Sequence, residues 1–189
     1  MTKFKRIALV TGHFPPSNLA AVHRSRLWAR YLPEFGWKPI IVTTHWDYYE
    51  ERLDPTLMDL VEPHLQIIRT KAIPLRPVRI VGDIGLRALF WHVRALNELV
   101  MRKEIDFFHI CIPSNYSALL GEMIYRKHQF PFGIDYIDPW VHVWPGTEKV
   151  FSHKCVEAGR RAATCRSLAQ PRLAFSAPTS HCGRFIKAA

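Results

Sequence analysis

The sequence has no apolar run approaching the roughly 20 residues that a membrane-spanning helix needs. Its first apolar segment, "RIALVTG", is too short and too rich in β-branched residues for a secretory signal. We therefore expect a cytoplasmic protein, with a peripheral contact on the inner membrane face as an open alternative.

Cysteine is scarce as well. The four cysteines lie at positions 111, 155, 165 and 182, and no two of them form a Cys-x-x-Cys pair. The neighbours His181 and Cys182 lack the spacing of a metal-ligand set. We predict no metal site and no cofactor.

Acidic residues are few, with 16 Asp and Glu against 26 Lys and Arg, but the imbalance is local. Residues 1–150 hold 19 basic against 15 acidic residues, whereas residues 151–189 hold 7 against 1. The main part of the chain is only mildly basic, and it carries no finger, recognition-helix or aromatic RNA-binding signature. We therefore predict no nucleic-acid partner.

Residues 151–189 differ in character from the rest of the chain. They are rich in Ala, Arg, Ser and Pro and show no sustained apolar period, so we expect a poorly ordered basic tail. A linker, an anion-binding tail and an out-of-frame end after a frameshift would each give this composition, and we favour the last.

Apolar runs and helical patterns alternate over residues 1–150. The runs predict five strands, at 6–12, 37–45, 65–73, 106–113 and 130–140, and the patterns predict helices at 20–36, 54–63, 84–104 and 114–129. This order predicts an α/β fold: a Rossmann-like open parallel sheet with helices on both faces, followed by an irregular C-terminal tail. Ligands of such sheets bind beyond the carboxyl ends of the strands, so function is expected in the loops at 12–20, 45–53, 112–116 and 138–147.

The loop after the first strand, "TGHFPPSNLAAVHR", lacks the G-x-G-x-x-G fingerprint, which argues against a dinucleotide-dependent dehydrogenase. Ser17 and Asn18 are candidate helix caps and phosphate or acceptor ligands, and the small Ala20 and Ala21 would let a ligand approach the backbone. Arg24, near the start of the helix, is a candidate anion contact. The alternative is a rigid strand-to-helix connection with solvated charges.

Three further residues are candidates for chemistry or stacking. Asp138 precedes a proline at the end of the fifth strand and could accept a hydroxyl proton, unless it only forms a turn. Trp140 follows it and could stack on a sugar or pack in a strand. His109 is either a core histidine or a group that reaches a ligand from the fourth strand.

Six cations and one acid, Asp83, lie between residues 69 and 94 beside large apolar residues: Arg69, Lys71, Arg76, Arg79, Arg87 and Arg94. Such a stretch could lie on an anionic membrane surface, although a solvated helix face is the simpler interpretation.

The stretches "RIALVTGHFPPSNLAAVHRSRLWARYLPEFGWKPIIVTTH", "DFFHI" and "DYIDPW" together resemble the N-terminal domain of family-4-type glycosyltransferases, over about residues 5–150. The resemblance implies a glycosyltransferase-B architecture, in which one Rossmann-like domain holds the acceptor and a second holds the nucleotide-sugar donor. It implies sugar transfer to a hydroxyl of a saccharide or a lipid-linked acceptor, typically with retention and without a metal. Ala20 and Ala21 stand near the family's Gly-Gly pair, one residue further along, and Asp138 matches the acidic residue at its fifth strand.

By this resemblance the donor domain would begin where the tail begins, so we expect an acceptor-side half that is inactive alone and lacks its C-terminal donor domain. Asp138 and His109 are then the catalytic candidates, and the substrate-binding candidates are Ser17, Asn18, Ala20, Ala21, Arg24 and Trp140. The alternative is a non-catalytic Rossmann-like module that binds a nucleotide or a partner protein.

Overall fold

The computed structural model describes residues 4–77, 81–112 and 114–136. Five strands form one sheet: β1 (Lys5–Thr11), β2 (Trp37–Thr44), β3 (Gln66–Thr70), β4 (Phe107–Ile112) and β5 (Phe132–Tyr136). All neighbouring strands are parallel, in the order β3-β2-β1-β4-β5. The predicted α/β class and the parallel Rossmann-like sheet are confirmed.

Three α-helices cover the two faces of the sheet: α1 (Ala20–Tyr31), α2 (Ile84–Met101) and α3 (Leu119–His128). Because strand side chains alternate between faces, β1 contributes to two cores. Ile7 and Leu9 pack on the side of α1 with Ala29. Ala8 and Val10 pack on the opposite side, with residues of α2 and α3 such as Leu96 and Ile124. The prediction of helices on both faces is therefore confirmed.

The segment predicted as a short helix at 54–63 contains a 3₁₀ helix, Pro55–Leu60, instead of an α-helix. Asp54 is its N-cap, because the Asp54 carboxylate accepts a hydrogen bond from the Thr56 N–H at 3.0 Å. A run of this length makes little tertiary contact of its own, since it has no fully buried residue.

Three large apolar side chains of α1 and α2 are exposed: Leu27 (39%), Tyr31 (47%) and Phe90 (66%). In α1 the buried stripe is formed by small residues, including Ser25 and Ala29, which lets the helix approach the sheet closely. In α2 the buried stripe includes the polar Arg87 and His92. Arg87 donates hydrogen bonds to the Tyr48 and Ile73 carbonyls on this side of α2, and Phe90 lies on the exposed side.

The chain reverses its direction of travel across the sheet between β1 and β4. The first three strands run outward from β1, and α2 then carries the chain from β3 back to β4 on the other side of β1. A crevice at such a reversal, beyond the carboxyl ends of the strands, is the usual ligand site of open α/β sheets. No helix in the described part of the chain is long and apolar enough to cross a membrane.

Candidate functional site

A cleft of about 490 Å³ lies over the carboxyl ends of β1 and β4, where the chain reverses. Its walls come from three loops and the start of α2: His13, Leu19, Glu50, Glu51, Gly82, Asp83, Ile84, Arg87 and Ser114. Three of the four loops in which function was expected, 12–20, 45–53 and 112–116, meet here. The fourth, 138–147, lies outside the described residues.

A histidine and a carboxylate are paired in the cleft wall. Nδ1 of His13 lies 2.8 Å from Oε1 of Glu51, and the two side chains are only 12% and 13% exposed. The hydroxyl of Ser17, which is fully buried, donates to the same carboxylate oxygen. Glu51 thus receives hydrogen bonds from two side chains of the loop that follows β1.

The protonation states of this pair follow from its surroundings. Burial lowers the pKa of His13, and the nearby Glu51 only partly opposes that shift. Burial alone would raise the pKa of Glu51, but hydrogen bonds from Ser17, a backbone N–H and His13 outweigh it and lower that pKa. At neutral pH the pair is therefore a neutral imidazole beside a carboxylate. Nδ1 must then carry the proton, and Nε2 is left as a proton acceptor.

Tyr49 holds the two loops of this pair together. Its hydroxyl accepts a hydrogen bond from the Phe14 N–H at 3.0 Å and donates one to the Thr44 carbonyl at 2.8 Å. Its ring lies 4.7 Å from the ring of His13, centroid to centroid. The hydroxyl of Thr11 also fixes the first loop, by donating to the His13 carbonyl at 3.0 Å.

Arg87 lies at the base of the cleft and is 1% exposed. Its Nη2 donates to the Tyr48 carbonyl at 2.6 Å, and Nη1 makes a longer contact of 3.5 Å with the Ile73 carbonyl. The guanidinium therefore joins α2 to the 45–53 loop at Tyr48, the residue before Tyr49. A buried side chain in this role does not belong to a solvated or membrane-facing surface, so the part of the basic-stretch prediction that included Arg87 is wrong.

Asp83 and Ser114 join the start of α2 to the end of β4. Oδ1 of Asp83 accepts a hydrogen bond from the Ser114 hydroxyl at 2.5 Å and caps α2 by accepting one from the Leu86 N–H at 3.1 Å. Gly85 is required at this junction, because a Cβ there would lie 2.3 Å from the Ser114 Oγ. This wall of the cleft is consequently closely packed.

The predicted residues of the opening loop have different environments. Leu19 is the N-cap of α1 and makes no side-chain capping bond, so the expectation that Ser17 or Asn18 caps the helix is wrong. The Ser17 hydroxyl is instead directed at Glu51. Asn18 and Ala20 are exposed and Ala21 is half-buried, close to the cleft residue Leu19. Their binding roles stay predictions.

Arg24 of α1 and His109 of β4 both contact Trp28, and neither lines the cleft. Nε of Arg24 is 2.5 Å from Oδ2 of Asp135 in β5, and its guanidinium lies over the Trp28 ring. His109 packs against the same Trp28 with 4.6 Å between ring centroids. The proposed anion contact of Arg24 and the catalytic role of His109 stay predictions, and Asp138 and Trp140 lie outside the described residues.

Five polar residues of the cleft wall were not predicted as site residues from the sequence: His13, Glu51, Asp83, Arg87 and Ser114. Two signals were available. His13 comes two residues after β1, at the end of the sheet where ligands bind, and Glu51 lies in a loop that was already expected to be functional. Within the described ranges, no group of three or more His, Cys, Asp or Glu side chains is arranged to hold a metal ion.

No protein-family model matches the sequence, and no curated protein is significantly similar to it. Among solved structures, the chain is similar to UGT2 of Phytolacca americana complexed with UDP-2fluoro-glucose and pterostilbene, with 11% identity and a TM-score of 0.47. It is also similar to a UGT transferase from Siraitia grosvenorii in complex with UDP, with 12% identity and a TM-score of 0.42. Each alignment covers 69% of this chain, but only 30% and 28% of the other chains. At these values the similarity concerns the fold alone.

Proposed function

We propose that this domain is the acceptor side of a glycosyltransferase. It binds a hydroxyl-bearing saccharide or lipid-linked acceptor in the cleft, while a second domain supplies a nucleotide-sugar donor. The observation that carries this proposal is the His13–Glu51 pair, which lies in the wall of a cleft at the reversal point of the sheet. The resemblance of the sequence to family-4-type glycosyltransferases supports the choice of reaction.

In the proposed reaction His13 acts as the general base. Its Nε2 takes the proton of the acceptor hydroxyl as that oxygen forms a bond to the anomeric carbon of the donor sugar. The bond from the anomeric carbon to the diphosphate breaks, and its electron pair leaves with the nucleoside diphosphate. Glu51 keeps the proton on Nδ1 and stabilises the imidazolium that forms.

A histidine base of this kind favours a single displacement, which inverts the configuration at the anomeric carbon. The sequence resemblance instead implies retention. The anomeric configuration of the product, read by proton NMR, therefore distinguishes a direct role of His13 from the chemistry that the resemblance implies. A retained configuration would contradict His13 as the base.

Several parts of the proposal rest on the sequence alone. Asp138 and Trp140 would contact the sugars from the end of the fifth strand, and Asn18, Ala20 and Ala21 would line the approach. Ser17 would act through its hydrogen bond to Glu51, and Arg24 would contact an anion outside the cleft. The reaction would need no metal and no cofactor. A cytoplasmic location is proposed on the same grounds.

The binding half of the proposal can be tested on the chain itself. We expect neutral saccharides to perturb the imidazole NMR signals of His13, and His13→Gln to weaken their binding by roughly three- to tenfold, because one buried hydrogen bond is lost. His45→Gln is a matched control, since His45 also lies beside a carboxylate, 3.1 Å from Asp47, but does not line the cleft. Equal weakening in both variants would contradict an acceptor site at His13.

The same chain should release no nucleoside diphosphate from a nucleotide sugar, because the proposal assigns binding of the nucleotide-sugar donor to a second domain. Turnover would contradict the division into two halves. A nucleotide that displaces the saccharide from the cleft would favour the non-catalytic binding module instead.

A further inference from the structure

A second groove, of about 330 Å³, lies between the carboxyl end of β3 and the middle of α2. Its lining comes from two elements: Arg69, Thr70 and Lys71 at the end of β3, and Trp91, Arg94, Ala95 and Glu98 on α2. Apart from Arg69, which contacts the Pro15 carbonyl and Tyr49, none of these residues contacts the His13–Glu51 arrangement. The groove is therefore a second candidate site, with no lining residue in common with the cleft.

The groove carries an excess of positive charge. Arg69, Lys71 and Arg94 face one acid, Glu98, whose Oε1 lies 3.2 Å from Nε of Arg94. Lys71 is exposed and makes no ion pair with any residue that the structure describes. Arg69 is held in place from below, because its Nη2 donates to the Pro15 carbonyl at 2.8 Å and its guanidinium lies 4.3 Å from the centroid of the Trp46 ring.

A buried hydroxyl at the groove has no hydrogen-bond partner within the part of the chain that the structure describes. Thr70 is only 8% exposed, and its Oγ1 makes no hydrogen bond to any described residue. An unsatisfied buried hydroxyl costs about 1–3 kcal/mol, so a protein keeps one mainly where something else completes it. A ligand oxygen entering the groove would do so after a small movement of this side chain.

Trp91 gives the groove an aromatic wall, and Phe90 beside it is 66% exposed. The two rings meet edge to face, with 5.5 Å between centroids. A half-buried tryptophan beside an exposed phenylalanine and next to cations suits a ligand that joins an anionic group to a sugar or an apolar moiety.

We infer that this groove binds a phosphate group, with Lys71 and Arg94 as its charged contacts, the Thr70 hydroxyl as a further donor and Trp91 packing on the attached moiety. A lipid headgroup and a free sugar phosphate share this chemistry. The inference does not depend on the proposed function, because it uses no residue of the cleft.

The test compares two double variants of the full chain that remove the same charge. Lys71→Gln with Arg94→Gln changes the groove, whereas Lys38→Gln with Lys127→Gln removes two exposed cations elsewhere. One experiment measures binding of glucose 1-phosphate by calorimetry. The other measures cosedimentation with phosphatidylcholine vesicles with and without phosphatidylglycerol. The basic residues 151–189 contribute equally to vesicle binding in both variants, so the difference between the variants reports the groove.

We expect the groove variant to lose about tenfold in affinity for at least one of the two probes, and the control to lose much less. Loss for the sugar phosphate alone identifies a free phosphate ligand, and loss for the vesicles alone identifies a lipid headgroup. Equal losses in the two double variants, or no binding of either probe, overturn the inference.

Thr70→Val provides a second test that misfolding cannot imitate. The variant should bind the phosphate probe more weakly while its resistance to urea stays equal or increases, because the unpartnered hydroxyl is gone. An unchanged affinity in this variant overturns the role given to Thr70 and, with it, the inference.

Discussion

Replacing Ser17 with alanine tests whether Glu51 is ionised inside the cleft wall. The Ser17 side chain is fully buried, and its hydroxyl donates a hydrogen bond to Oε1 of Glu51. The same oxygen accepts a hydrogen bond from Nδ1–H of His13. Hydrogen bonds to charged groups contribute about 1.5–3 kcal/mol to stability. We therefore expect Ser17→Ala to lower the free energy of unfolding by about 1.5–3 kcal/mol at neutral pH.

The loss should depend on pH in a definite direction. Burial alone would raise the pKa of Glu51, but hydrogen bonds from Ser17, a backbone N–H and His13 bring it below the ordinary value of 4.5. As the pH falls, the unfolded chain takes up a proton at Glu51 before the folded protein does. The stability that the carboxylate contributes is thus complete above about pH 4.5 and is lost as the pH falls through the folded pKa. Ser17→Ala should accordingly destabilise most at neutral pH and least in acid.

Urea unfolding, followed by far-ultraviolet circular dichroism at neutral pH and below pH 4.5, measures both effects. Ser25→Ala is the matched control. Ser25 is equally buried, but its hydroxyl donates at 3.1 Å to the Val22 carbonyl, which does not titrate. Its loss should be smaller and independent of pH. If both variants lose the same free energy at both pH values, Ser17 is not bonded to an ionised carboxylate and the protonation states derived for the pair are wrong.

Three further outcomes are expected. Glu51→Gln should lower the pKa of His13 further, because burial lowers that pKa and the carboxylate opposes it; imidazole NMR measures this, and a rise would refute the pairing. Burial lowers the pKa of His92 from 6.5 to about 4, so the protein should lose up to about 1.4 kcal/mol of stability per pH unit as the pH falls across that range. His92→Met should reduce this dependence of stability on pH, measured by urea unfolding. An unchanged slope of stability against pH would argue against the lowered pKa of His92. Gly121→Ala should cost about 1–3 kcal/mol or more in the same assay, since its Cβ would lie 2.2 Å from the Phe132 ring; unchanged stability would disprove that close contact.

The fold could be predicted because each strand is encoded locally. The β1 run "RIALVT" is apolar on both faces, since Ile7 and Leu9 serve one core and Ala8 and Val10 the other. A strand of this kind has to lie in the middle of a covered parallel sheet. The burial of Arg87 on α2 could not be predicted, because it depends on a hydrogen bond to the Tyr48 carbonyl. Tyr48 lies in the 45–53 loop, which is distant from α2 in the sequence.

The cleft was harder to predict for the same reason. Its hydrogen bonds join residues far apart in the chain: His13 and Glu51 are 38 residues apart, Ser17 and Glu51 are 34 apart, and Asp83 and Ser114 are 31 apart. Topology indicates which loops meet, since the carboxyl ends of parallel strands share one edge. It does not indicate which side chains of those loops pair.

The sheet and the cleft differ in what holds them together. The sheet rests on a core of packed apolar side chains on each face, whereas the cleft rests on a short chain of hydrogen bonds. Arg87 fixes the Tyr48 carbonyl, the adjacent Tyr49 fixes the loop against β2, and Glu51 two residues later orients His13. Local opening of a protein begins where such hydrogen bonds, rather than apolar packing, hold a segment. The orientation of His13 is therefore a property of the 45–53 loop, and the same sheet with a different loop would keep its fold and lose the proposed base.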